Sequence, residues 1–366
     1  MPPEPVIIDY EDATAVFAML QAADTFRCID VPDLDPNDWN WIREKKQRFG
    51  TEFCLVFDRN VFTRVLGLRQ PLRRPLAQGE RIAAAVMFHG IMGNVLFDSG
   101  PAIAEALKTQ GPQDGCREAC AFAAMQNLDP AVYLNIALGR LQGVAPEMIE
   151  AEITPEILRG VEQLDLSHQR WMTPEYTCAL KLALLQLRGG GKGEATVFSE
   201  FLQWSYEEFL FLPGPLIYGS LALSPGRKSR MFKNLRGTDP VRALSGIRNA
   251  AWDMYLLRYW VNCVKRQHDD NSFHFLGTMD QALKDCAADL LVPSADPEIA
   301  RIALRERWTA EWGKHATTLL AQYESFALSY QTDHNRTVAS HQHDESFWRA
   351  YHAQLLAEVE AELGKT

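Results

Sequence analysis

The 366-residue chain has no run of about 18 consecutive apolar residues, so no transmembrane helix is expected. Met1-Pro2-Pro3-Glu4-Pro5 at the start has neither a basic segment nor a long apolar one, so no secretory signal is expected. Cysteine is sparse and odd in number, with seven at positions 28, 54, 116, 120, 178, 263 and 286. Scattered thiols in mostly apolar runs predict reduced, buried side chains and a cytoplasmic protein. Cys116 and Cys120 lie one helical turn apart, but no further Cys or His pair completes a zinc set, which leaves core packing as their role. Positive charge is in deficit: 37 Lys and Arg against 47 Asp and Glu, a net charge of −10. That balance disfavours non-specific adhesion to nucleic acid while leaving room for a local basic patch.

Several chemistries are also missing. There is no Gly-x-Ser-x-Gly elbow and no Cys/His pair in a nucleophile context. Gly189-Gly190-Gly191-Lys192-Gly193 has the wrong spacing for a P-loop, no Ser or Thr after its lysine and no strand before it, so it reads as a linker between helices. His341-Gln342-His343-Asp344 lies in a polar segment without a partner set and reads as a solvated loop. No internal repeat occurs.

The chain does have a filled core. It is 47% hydrophobic, with nine Trp, ten Tyr and eighteen Phe, enough for one large domain or two small ones. The pattern predicts a strand at Val6-Ile7-Ile8, helices over 13–23 and 39–49, a buried strand over 53–57 and a helix from Arg59. The small-residue stretch 80–106, with Gly90, Gly93 and Gly100, predicts close helix packing. Helices follow over 113–127 and from Asp129-Pro130, where Asp129 is the N-cap and Pro130 the first helical residue. Thr154-Pro155-Glu156 and Thr173-Pro174-Glu175 repeat that start signal. Further helices are expected over 195–211 and 241–267, a short strand over 272–276, and amphipathic helices over 296–330 and 344–363. Residues 224–239 form a basic loop with Arg227, Lys228, Arg230, Lys233 and Arg236, cations suited to phosphate contacts.

Three aspartates stand where a carboxylate needs explaining. Asp58 ends the apolar run Phe53-Cys54-Leu55-Val56-Phe57. A carboxylate there sits at the C-terminal edge of a parallel sheet, where open α/β folds bind ligands. Asp280 follows the second strand through Gly277-Thr278. Asp253 lies inside an apolar, aromatic helix, where a carboxylate is costly unless paired, hydrogen-bonded or metal-bound. Clustered carboxylates suit Mg²⁺ or Mn²⁺. The bland alternatives are helix caps for Asp58 and Asp280 and an ion pair to Arg248 or Arg258 for Asp253.

The motifs Val56-Phe57-Asp58-Arg59-Asn60, Trp252-Asp253-Met254 and Thr278-Met279-Asp280, in that order, resemble those of the PIN-like nuclease superfamily over roughly residues 51–292. The resemblance implies a helix-rich α/β fold with a small parallel sheet. It also implies a Mg²⁺ or Mn²⁺ site on Asp58, Asp253 and Asp280, with Asn60 and Thr278 orienting these carboxylates. The activity implied is phosphodiester hydrolysis, of RNA before DNA. That family supplies another acid from a middle helix, where this chain has Asn135; Asp98, Glu105, Glu118 and Asp129 are the other candidates. The expected organisation is an N-terminal segment 1–50, an α/β domain 51–292 and a helical extension 293–366 that covers the domain or mediates assembly, with a second copy or a protein partner. No membrane partner is expected. The rival reading is a non-catalytic interaction or regulatory protein with a degenerate metal site.

Overall fold

A strand buried on both faces needs apolar side chains at successive positions, and Phe53, Leu55, Val56 and Phe57 are all buried. They lie in one of the two inner strands of the only sheet among the described residues. The structure, a computed structural model, describes residues 8–28, 35–69, 75–145, 154–189, 192–225, 232–267, 269–290, 297–330, 332 and 344–365. It divides into two compact units, Met1–His168 with Tyr259–Lys284, and Gln169–Arg258 with Asp285–Thr366.

The first unit runs α1 (Tyr10–Ala23), β1 (Phe26–Arg27), α2 (Trp39–Phe49), β2 (Glu52–Phe57), α3 (Arg59–Gly67), α4 (Gln78–Met92), β3 (Leu96–Asp98), α5 (Gly100–Thr109), α6 (Pro112–Gln126) and α7 (Pro130–Ala137); β4 (Ser272–Gly277) is added from far along the chain. The strand order is β1-β4-β2-β3. β2 is parallel to β3, with Cys54 opposite Leu96, and to β4, with Phe53 opposite Phe273. β1 is antiparallel to β4. The sheet is therefore mixed, which corrects the expectation of a purely parallel one. α1 ends at Asp24, whose φ of 50° turns the chain straight into β1.

Helix starts follow the short polar residues. Asp38, Asp58 and Asp129 each accept a hydrogen bond from a backbone N–H of the following first turn. The small-residue stretch does more than pack helices, because β3 lies inside it. Gly90 lets α4 lie against that strand: a Cβ there would fall 2.2 Å from the Phe97 ring. Val6 and Ile7 lie outside the described residues, and Ile8 is coil before α1.

The remaining helices are α8 (Pro155–Arg188), α9 (Glu194–Glu207), α10 (Pro213–Leu223), α11 (Pro240–Arg266), α12 (Gln281–Leu290), α13 (Pro297–Trp312), α14 (Ala316–Ser329) and α15 (Glu345–Leu363). The second unit is built from these helices, with α8, α11 and α12 contributing only in part. Pro174 does not open a helix. It lies inside α8, where a proline removes one intrahelical bond without ending the helix. The second unit is held by aromatics. Phe198 stacks on Trp312 at 5.3 Å and meets Trp308 edge-on at 5.5 Å, and Trp312 Nε1 donates to Ser220 Oγ at 2.9 Å. Glu175, with no exposed side-chain surface, pairs with Arg258, with Oε1 2.5 Å from Nε.

Candidate functional site

The site grows from the end of β2. Asp58 N–H donates to Gly277 O at 3.0 Å, extending the β2–β4 ladder by one residue. This brings the start of α3 beside the residues that follow β4. Asp58 is 3% exposed. Its Oδ1 accepts from Asn60 N at 3.4 Å, and its Oδ2 from Asn60 Nδ2 at 3.2 Å and from Thr278 Oγ1 at 2.8 Å. The Thr278 hydroxyl in turn accepts from Asp280 N at 3.0 Å. Thr278 N–H donates to Thr25 O at 3.0 Å, which fixes its backbone against the residue before β1. One buried hydroxyl thus links two aspartates at the C-terminal ends of adjacent parallel strands. Asp280 Oδ1 caps α12, accepting from Ala282 N at 2.8 Å and Leu283 N at 3.3 Å.

Charge accumulates here. Burial pushes the Asp58 carboxyl above its ordinary range; the hydrogen bonds from Thr278 and Asn60 oppose that shift, and the charge of Asp280 adds to it. On α5, burial raises Glu105 to about 7; Arg59 opposes this, and the negative charges of Asp58 and Glu118 reinforce it. Arg59 grips Glu118 with both guanidinium nitrogens, at 2.5 and 2.8 Å, and donates to Ala102 O at 3.2 Å. A carboxyl with its pKa near neutrality beside a buried carboxylate marks a functional-site candidate on physical grounds.

Asp58, Asp280, Asn60 and Thr278 thus come together through contacts, and Glu105 lies in the field of Asp58 and of Glu118. Asp253 belongs to the second unit, where Tyr218 OH donates to its Oδ2 at 3.3 Å. Asn135 is on α7, and its Nδ2 donates along its own helix to Ala131 O at 2.9 Å. Asp98 accepts from Tyr259 OH at 2.7 Å and from Gly100 N at 3.0 Å, while Asp129 caps α7. Lys233 and Arg236 are exposed in the second unit. Arg227, Lys228, Arg230, Gly190, Gly191 and the His341–His343 stretch lie outside the described residues.

Sequence reasoning passed over Arg59, the middle residue of its own Asp-x-Asn signature. A cation directly after the strand-end aspartate was the available signal. Among the described residues, no group of three or more His, Cys, Asp or Glu side chains is arranged to hold a metal ion. The first unit therefore holds a pair of linked aspartates, Asp58 and Asp280, with Glu105 in the field of Asp58. Compared with family models, curated proteins and solved structures, the chain matches none of them.

Proposed function

We propose that the edge carrying Asp58 and Asp280 is a PIN-like divalent-cation site for phosphodiester hydrolysis, with RNA as the preferred substrate. The observation that supports this reading is the Thr278 hydroxyl, which ties the two aspartates together at the ends of adjacent parallel strands. Mg²⁺ commonly takes only one or two protein carboxylates and fills its other positions with water and substrate phosphate. The donor set fits such a cation. Asp58 and Asp280 supply the carboxylates, Glu105, raised to about 7 chiefly by burial, is a neighbouring carboxyl, and the local cation Arg59 is engaged by Glu118. A bound divalent ion supplies activated water and stabilises the leaving oxygen. The chain's own part is orientation: Thr278 and Asn60 hold the Asp58 carboxylate by its Oδ2.

A second reading has its own observation. Asp58 and Asp280 both use Oδ1 to cap helices, the arrangement expected of a non-catalytic or regulatory protein with a degenerate site. Cleavage of a labelled single-stranded RNA with and without Mn²⁺ separates the two. Cation-dependent cleavage that is lost in Asp58→Asn and Asp280→Asn supports hydrolysis. Equal behaviour of wild type and both variants, or no cleavage at all, supports the second reading. Asp253→Asn tests whether the third aspartate of the motif set takes part.

A further inference from the structure

We propose that α2 carries a docking face for single-stranded nucleic acid, separate from the carboxylate edge. Trp41, Lys45 and Phe49 recur at i, i+4 and i+8 and so line one face of the helix. Lys45 Nζ lies 5.2 Å from the Trp41 ring centroid and 5.3 Å from that of Phe49, and Arg48 Cζ lies 5.2 Å from Phe49. Aromatic rings and cations therefore alternate along the stripe. A single strand has the matching alternation, a base to stack on a ring and a phosphate to meet a cation.

The helix is anchored by the buried Trp39 and Ile42 and, at the start of the stripe, by Trp41, which packs edge-on against Phe53 at 5.8 Å. Its last residue is held in place: Gly50 caps the helix at φ 66°, and Asn271 Nδ2 donates to Phe49 O at 3.3 Å and to Gly50 O at 3.2 Å. Phe49 nevertheless keeps 54% of its surface exposed. Within Trp39–Phe49 the charges are Arg43, Lys45, Lys46 and Arg48 against Glu44; Lys46 pairs with Glu52 at 2.7 Å and Arg48 lies 4.0 Å from Glu44, so Arg43 and Lys45 carry the local reversal in a chain of net charge −10. That reversal selects a polyanion. A duplex keeps its bases from the rings. A membrane needs more inserted apolar surface than one phenylalanine supplies, because Trp41 is half-buried. The stripe ends where β2 begins, at the opposite end of that strand from Asp58, so docking here does not depend on hydrolysis there.

The test is fluorescence anisotropy of a labelled single-stranded oligoribonucleotide of mixed sequence, in a chelator that stops cation-dependent cleavage. Wild type binds the single strand more tightly than the duplex of the same sequence. Phe49→Ala weakens binding by at least about fivefold, and Phe49→Tyr restores it. The double variant Lys45→Gln, Arg48→Gln weakens binding and flattens its salt dependence. Circular dichroism and thermal unfolding confirm that each variant is folded. Equal affinity of Phe49→Ala and wild type, a preference for the duplex, or capture only by anionic phospholipid vesicles overturns the proposal. The readout is binding without cleavage, so its failure is distinct from failure of the hydrolysis reading.

Discussion

Thr278 donates its hydroxyl to Asp58 Oδ2 at 2.8 Å across 220 positions of sequence, with both side chains buried. The Thr278 hydroxyl oxygen itself accepts the N–H of Asp280 at 3.0 Å. The contact closes the end of the sheet and opposes the upward shift that burial imposes on the Asp58 carboxyl.

Replacing Thr278 by valine keeps the shape and removes the donor. A hydrogen bond to a charged group contributes about 1.5–3 kcal/mol, and a loss of that order is expected in urea unfolding at neutral pH. Thr278→Ser should recover most of it. Equal midpoints for the valine and serine variants would show that the hydroxyl does not matter.

Glu105 makes stability depend on pH. Its folded pKa of about 7 lies above the ordinary 4.5, so the folded state holds a proton that the unfolded chain has released. This contribution is complete below about pH 4.5 and is lost as pH rises through about 7. Glu175, also raised to about 7 by burial despite the opposing Arg258 charge, acts in the same direction. Thermal unfolding between pH 5 and 8 should show a shallower decline in Glu105→Gln than in wild type; Glu175 contributes to the residual slope, and His89, lowered to about 4 by burial, opposes it at the acid end. An unchanged slope would assign the effect elsewhere.

The Glu175–Arg258 pair predicts an asymmetric response. Glu175 is wholly buried, whereas the Arg258 side chain retains 23% exposure. Arg258→Ala should cost about 3–5 kcal/mol where Glu175 is ionised, since it strands a buried carboxylate. The cost should shrink below about pH 7, where that carboxyl takes up a proton. Denaturant unfolding at pH 6 and pH 8 checks this, and equal losses at both would contradict it.

Gly90→Ala should destabilise the first unit. The added methyl would fall 2.2 Å from the Phe97 ring. Phe97 has little room to yield, because it packs on Phe57 at 5.6 Å and on Phe122 at 6.3 Å. Overpacking of this kind costs about 1–3 kcal/mol. An unfolding midpoint equal to wild type would show that the ring moves aside freely.

Much of the local structure was legible in the chain. Apolar residues at successive positions placed β2, and Asp129-Pro130 placed the start of α7, because both signals act over a few residues. β3 was not legible. Three residues, one of them the exposed Leu96, carry too little pattern to stand out from a small-residue helix stretch. Thr173-Pro174-Glu175 misled for the converse reason: a start signal is local, and α8 runs through it.

The sequence by itself determined which residues are apolar enough to form β2 and β4, that each is followed by an aspartate, and that those aspartates begin helices. Adjacency, antiparallel pairing and charge fields depend on segments far apart in the chain, and only the tertiary structure decided them. It set β4 beside β2 so that Thr278 reaches Asp58, placed β1 antiparallel at the edge, and brought Glu105 and Arg59 into the same field. It also assigned Asp253 to the second unit, which no short motif reports, because membership of a compact unit depends on contacts between segments far apart in the chain.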